Sequence, residues 1–121
     1  MDISKLMETV KSGPNYEKVG MILCHNGVVR GTSRDGRRVS GLAVEVDHAT
    51  LKQILDDHRK KPGIIDILVE INDGKNLTVG DDVMYIVVSG DIRDRVIPVL
   101  SDVLNAIKKN VTKKTEFFVD A

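Results

Sequence analysis

Six consecutive apolar residues, Val83 to Val88 (VMYIVV), leave the middle of this segment with no polar face. A strand of that kind must be covered on both sides, so the run predicts a central strand. After the Ser89-Gly90 break, apolar residues recur as Ile92, Val96, Leu100, Val103, Leu104, Ile107 and Val111, a spacing of three and four that predicts one long helix with a single buried stripe. Asp91 is the expected N-cap, and Asp94 adds negative charge to the first turn, where the helix dipole favours it. Pro98 lacks the N–H of an interior bond and predicts a kink or a locally broken turn.

A strand and helix of this size need a core around them, and 121 residues supply one two-layer domain. The expected organisation is a single domain over 1–121, with a helix or docked arm over 1–16, a flexible loop over 31–38 and a polar tail over 112–121. With no Trp, two Tyr and two Phe, the core must be built from Val, Ile and Leu, and base stacking is disfavoured. Lys plus Arg number 18 against 18 for Asp plus Glu, so overall charge predicts neither a nucleic-acid nor a membrane partner. The start, MDISKLMETVKSG, has no apolar signal region, and no later window approaches a membrane span. One cysteine excludes an intrachain disulfide. Together these features predict a soluble, cytoplasmic protein.

Along the chain, Ile3, Leu6, Met7 and Val10 have helical spacing, stopped by Ser12-Gly13-Pro14-Asn15. KVGMILCHNGVVR, 18 to 30, reads as a strand in which Gly27 suggests a bulge or a close approach. GTSRDGRR, 31 to 38, has no apolar anchor and predicts a mobile loop. VSGLAVEVD is a half-buried strand with Leu42, Val44 and Val46 on one face. Asp47 to Lys61 is the next helix, stopped by Pro62-Gly63, and Ile64 to Ile71 is a strand. In the tail, Phe117, Phe118 and Val119 suggest a docking strand. The order predicts an α+β fold with helices packed against one mixed sheet.

Four stretches in this order resemble the large, catalytic subunit of molybdopterin synthase: GMILCHNGVVRG at 20 to 31, VSGLAVEVDHATLKQILDDHRKK after the loop, LTVGDDVMYIVVSGDIR at 77 to 93, and VLNAIKKNV at 103 to 111. The resemblance implies an α/β-hammerhead-like fold. It also implies sulfur transfer from a small ubiquitin-like carrier, bearing a C-terminal thiocarboxylate, to a cyclic pterin monophosphate. Carried over by position, Arg30 and Arg93 are implied to bind substrate and Lys108 to be catalytic. The family's second lysine falls at Thr115, with Lys114 beside it and either Lys114 or Lys113 as its replacement; His25 stands at the family's Phe and Ile92 at its His. The resemblance further implies a homodimer, assembled into a heterotetramer with two carriers.

The chemistry suits these residue types. An arginine fork pairs phosphate oxygens in two places, and a Gly-Arg loop gathers anions, which adds Arg37 and Arg38 to the expected substrate-binding set. Lysine suits proton shuttling or covalent work once burial or a neighbouring cation depresses its pKa. On an unbroken helix, Arg93 and Lys108 lie about 22 Å apart, at roughly 1.5 Å per residue. One small substrate cannot touch both, so the expected site joins Lys108 of one subunit to Arg93 of another.

Blander readings stand beside these. Lys108 at a helix C-terminus also suits the dipole as a solvated cation, Arg30 and Arg93 also suit an open surface, and Cys24 is expected to be a small buried core residue. His25, His48 and His58 have no metal-binding spacing, and no nucleotide-binding pattern is present, so neither metal nor cofactor is expected. The alternative function is a diverged, non-catalytic dimer that binds a phosphorylated ligand or a ubiquitin-like tail. Nucleic-acid binding by the basic clusters at 30–38 and 108–114 ranks third.

Overall fold

The computed structural model describes residues 1–119; the last two positions of the segment expected as a tail, 120 and 121, lie outside the described residues. The elements are α1 (Ile3–Lys11), a 3-10 turn (Tyr16–Lys18), β1 (Met21–Val28), β2 (Val39–Val46), α2 (His48–Arg59), β3 (Ile64–Ile71), β4 (Leu77–Thr78), β5 (Asp82–Gly90), α3 (Arg93–Asn110) and β6 (Thr112–Phe118).

The apolar run lies in β5, the middle strand of a sheet ordered β1-β5-β3. Both of its faces are covered. Met84, Ile86 and Val88 pack with Ile67 against Leu55 of α2 and Val96, Val99, Val103 and Ile107 of α3. On the other face, Tyr85 and Val87 meet Leu6 and Val10 of α1. Each such apolar side chain, once buried, contributes about 1.5–3 kcal/mol, which is how a core almost free of aromatics holds.

A second sheet, ordered β4-β2-β6, carries its own cluster of Val29, Leu42, Val44 and Leu77. Val46, Ile71 and Val83 pack against this cluster and the main one, joining the two sheets. At Gly41 a Cβ would collide with the carbonyl oxygen of Leu77, so glycine lets β2 and β4 come together. Gly63, at φ +77°, turns the chain into β3 where a side chain would strike the Asp91 carboxylate.

The α+β class stands, but among the described residues every strand pairing is antiparallel, so the expected single mixed sheet is two antiparallel sheets. The α2–β3 connection and the α3–β6 connection each bring in a strand beside one running the opposite way. The register shift at Gly27/Val28 is the irregularity expected of Gly27. Asp91 is not the N-cap of α3. Its carboxylate accepts from the Ile92 N–H at 2.7 Å and from Arg95 at 2.9 Å, and Ile92 occupies the cap position with no side-chain cap. Ile92 itself is 50% exposed and leaves the buried stripe, which starts at Val96.

The broken turn expected at Pro98 is absent: α3 runs continuously through it. The lost bond is the one to the Asp94 carbonyl, in the first turn, where few bonds depend on it. The stretch 31–38 is tied by its own hydrogen bonds. Ser33 N–H donates to the Arg37 carbonyl at 2.9 Å, the Ser33 hydroxyl donates to Asp35, and Gly36 turns at φ +87°. Cys24 is exposed rather than buried, because β1 is an edge strand and α1 does not extend over this part of its outer face.

Candidate functional site

Helix α3 stops at Asn110, and the turn that follows fixes what its last residues meet. The Val111 N–H donates to the Ile107 carbonyl at 2.9 Å, and the Val111 carbonyl accepts from Asp47 at 2.9 Å. Val111 is buried, so the chain pivots about a fixed point and enters β6 directly. Lys108, in the last turn, is thereby held beside the start of β6.

β6 pairs with β2, placing Thr112 opposite Val46, Lys114 opposite Val44 and Glu116 opposite Leu42. Directly paired residues share a sheet face, and alternate residues change face. Thr112, Lys114 and Glu116 therefore look the same way as Leu42 and Val44, the face that carries the second sheet's cluster. Lys113 and Thr115 face away with Glu45 and Ala43. Strand parity thus selects Lys114 over Lys113.

Between this face and the first sheet lies a cavity of about 600 Å³. β1 contributes His25, Gly27 and Val28; the following loop contributes Arg30, Thr32 and Arg34; Leu42, Val44, Val83 and Met84 give an apolar floor; Lys108, Thr112, Lys114 and Glu116 complete the wall. Four cations, Arg30, Arg34, Lys108 and Lys114, thus share it with one carboxylate, Glu116. In a chain of zero formal charge, positive charge is concentrated at this place.

The Arg30 Nε donates to the Thr32 carbonyl at 2.8 Å, which orients the guanidinium and leaves its Nη groups for a ligand. Lys114 lies 3.9 Å from Glu116, a loose and half-exposed pair. Burial, and then the charge of Lys108, hold the His25 imidazole below its ordinary pKa. Cys24 is on the opposite face of β1 from His25, so no cysteine sulfur enters the cavity.

Of the residues expected from the sequence, Lys108, Lys114 and Arg30 are brought together. Arg93 is not. Its side chain is 83% exposed at the far end of α3, with only Asp94 at 3.8 Å. Arg37 and Arg38 also lie outside the cavity wall. The Arg37 guanidinium sits 3.6 Å from the centre of the Phe118 ring, and the Arg38 carbonyl accepts from Val119, ties that turn both residues to the β6 end of the loop. Arg34, His25 and Glu116 enter the site unforeseen. Arg34 belongs to the same basic loop, and His25 shares a strand with Arg30, but only the fold shows which of them face inward. Among the described residues, no group of three His, Cys, Asp or Glu is placed to hold a metal, and no helix is long and apolar enough to cross a membrane.

Comparison with known proteins bears on this arrangement. The sequence model of the MoaE protein family matches residues 1–110. Molybdopterin synthase from Staphylococcus aureus is similar in structure, with 26% identity and a TM-score of 0.74 over 87% of this chain and 79% of that one. Molybdopterin cofactor biosynthesis protein E from Burkholderia multivorans ATCC 17616 shares 23% identity at a TM-score of 0.76, over 100% of this chain and 85% of that one. A chain in the complex of subunits 1 and 2 of the molybdopterin-converting factor from Helicobacter pylori 26695 shares 15% identity at a TM-score of 0.71, over 99% and 85%. The last two likenesses concern the fold. No curated protein is significantly similar in sequence.

Proposed function

The chain belongs to the MoaE protein family, and on that premise we propose that it performs the sulfur transfer of a molybdopterin synthase large subunit in molybdenum cofactor biosynthesis. A carrier with a C-terminal thiocarboxylate is the sulfur donor, and a cyclic pterin monophosphate is the acceptor. The observation that carries this reading is the convergence of Lys108, Lys114 and Arg30 on one cavity from a helix end, a strand and a loop.

Each cation has work suited to its chemistry. Arg30, held through its Nε, offers its Nη pair to the substrate phosphate, with Arg34 beside it. Lys108 and Lys114 neutralise the thiocarboxylate tail and are positioned to pass protons as the sulfur changes partner. A phosphate and a carboxylate tail together match the excess of positive charge in the cavity.

The carrier is a small ubiquitin-like subunit whose tail enters this cavity; the two-subunit complex from Helicobacter pylori supports such an assembly. Arg93 joins the site from a second copy of the chain. α3 is one continuous helix, so its own Arg93 stays about 22 Å along the axis from Lys108, and a symmetric homodimer brings the other one near. Two carriers then complete a heterotetramer working in the cytoplasm.

The test is conversion of the cyclic pterin by the wild-type chain and by Lys108→Ala, each supplied with thiocarboxylated carrier. Product from wild type and about 100-fold less from the variant is the expected outcome. A second reading, a dimeric binding module without catalysis, is favoured by the exposed Ile92, which offers no proton-transfer group beside Arg93. Wild-type chain that binds carrier and yields no product selects it.

A further inference from the structure

Releasing a sulfur from its carrier requires a proton acceptor with a free lone pair at neutral pH. The four cations of the cavity are donors only in their charged forms. Glu116, on β6, has the Lys114 ammonium 3.9 Å away as its counter-ion. The remaining titratable side chain in the wall is His25.

Its placement is specific. His25 stands opposite Ile86 in mid-strand, on the face of β1 that carries Met21 and Leu23 toward α3, and is half-buried. Among the described residues, the other two histidines are engaged, His48 with Asp73 and His58 with the Ile54 carbonyl, whereas the His25 ring has no hydrogen-bond partner. Gly27 is the next residue on the same face, and a Cβ there would come within 3.3 Å of the His25 Nε2. Glycine therefore leaves open space beside that nitrogen, and the space belongs to the cavity.

We propose that His25 is a catalytic proton acceptor in this cavity, its Nε2 taking a proton from the water that frees the carrier from the transferred sulfur. The proposal rests on the sulfur-transfer reading above. Once the carrier's sulfur has bonded to a pterin carbon, it links two carbons as a thioester. Water oxygen bonds to the acyl carbon, one water proton passes to Nε2, and the acyl C–S bond breaks with its electron pair going to sulfur. The sulfur stays on the pterin as a thiolate. The carrier leaves as a carboxylic acid that loses its proton to solvent, and the imidazolium then returns its own. No oxidant or reductant is consumed.

The surroundings suit this cycle. Lys108 from α3, Lys114 and Glu116 from β6, and Arg30 and Arg34 from the loop after β1 are the charged groups around the ring. Burial, and then the charge of Lys108, keep the resting imidazole neutral and make the imidazolium quick to release its proton.

Single-turnover transfer by the full chain with thiocarboxylated carrier and cyclic pterin monophosphate tests this from about pH 5 to 9. Wild type, His25→Gln, and His25→Ala with and without added imidazole are compared, carrier binding is measured in parallel, and carrier–pterin adduct is sought by mass spectrometry of quenched samples. The wild-type rate is expected to fall in acid with an apparent pKa below the ordinary 6.5. His25→Gln is expected to bind carrier normally, react about 100-fold more slowly, accumulate adduct and lose the acid limb. Imidazole is expected to restore part of the His25→Ala rate. A His25→Gln chain with the wild-type rate and acid limb overturns the role of His25 and leaves sulfur transfer standing. Wild type that binds carrier without forming product overturns the transfer reading, and this role with it.

Discussion

The two ends of α3 bear opposite surfaces. At the C-terminal end, Ile107 is fully buried and Lys108 projects into a cavity closed by β6. At the N-terminal end, Ile92 is half-exposed and Arg93 reaches open solvent, with one weak acidic neighbour. One end is a finished wall and the other is an unanswered surface. A rigid helix cannot bring its own ends together, so in the proposed dimer the two ends of one α3 contribute to two different sites related by symmetry.

Substitutions at the two ends should separate these roles. The largest effect is expected from Ile107→Ala, which empties a fully buried position and should cost about 2–5 kcal/mol in chemical denaturation. A loss below about 1 kcal/mol would mean that the C-terminal end is not the anchor described. Its neighbour Lys108→Ala should lower sulfur transfer about 100-fold while stability stays within about 0.5 kcal/mol. Equal losses of both properties would erase the distinction between anchor and chemistry.

Strand parity extends the contrast into β6. Lys114→Ala should reduce transfer about tenfold, the scale of one charge-assisted hydrogen bond, and Lys113→Ala should leave it unchanged. The reverse order would put the wrong face of β6 toward the cavity. A smaller effect concerns acid stability. The folded-state pKa of His25 is depressed, so below the unfolded value of 6.5 the unfolded chain takes up a proton first. The stability held above that pH is lost as pH falls toward the folded pKa. His25→Gln should flatten this slope in denaturation curves taken on either side of pH 6.5.

The core half of this comparison is legible in the sequence, because an apolar run and a three-four stripe report burial directly. β5 and α3 follow from VMYIVV and from Val96, Val103 and Ile107. The site half is harder to read. β6, TKKTEFF, is held to β2 by a backbone ladder, and its polar composition hides it. Once it is known to be a strand, simple alternation distinguishes Lys114 from Lys113. The loop shows its arginines but not which of them face inward: Arg34 lines the cavity while Arg37 lies over Phe118, a choice made by the Ser33–Arg37 turn. Cys24 reads as buried because an apolar segment does not disclose that it lies at a sheet edge.

The direct test of a site shared between subunits is to mix two inactive chains. Arg93→Ala and Lys108→Ala are combined in equal amounts, allowed to exchange subunits, and assayed for sulfur transfer. In a mixed dimer, one site keeps Lys108 from the first chain and Arg93 from the second, while the other site lacks both. With half of the dimers mixed, activity should recover to about a quarter of wild type. Activity no greater than the average of the two parents, with subunit exchange demonstrated, would contradict the division of the site between opposite ends of α3.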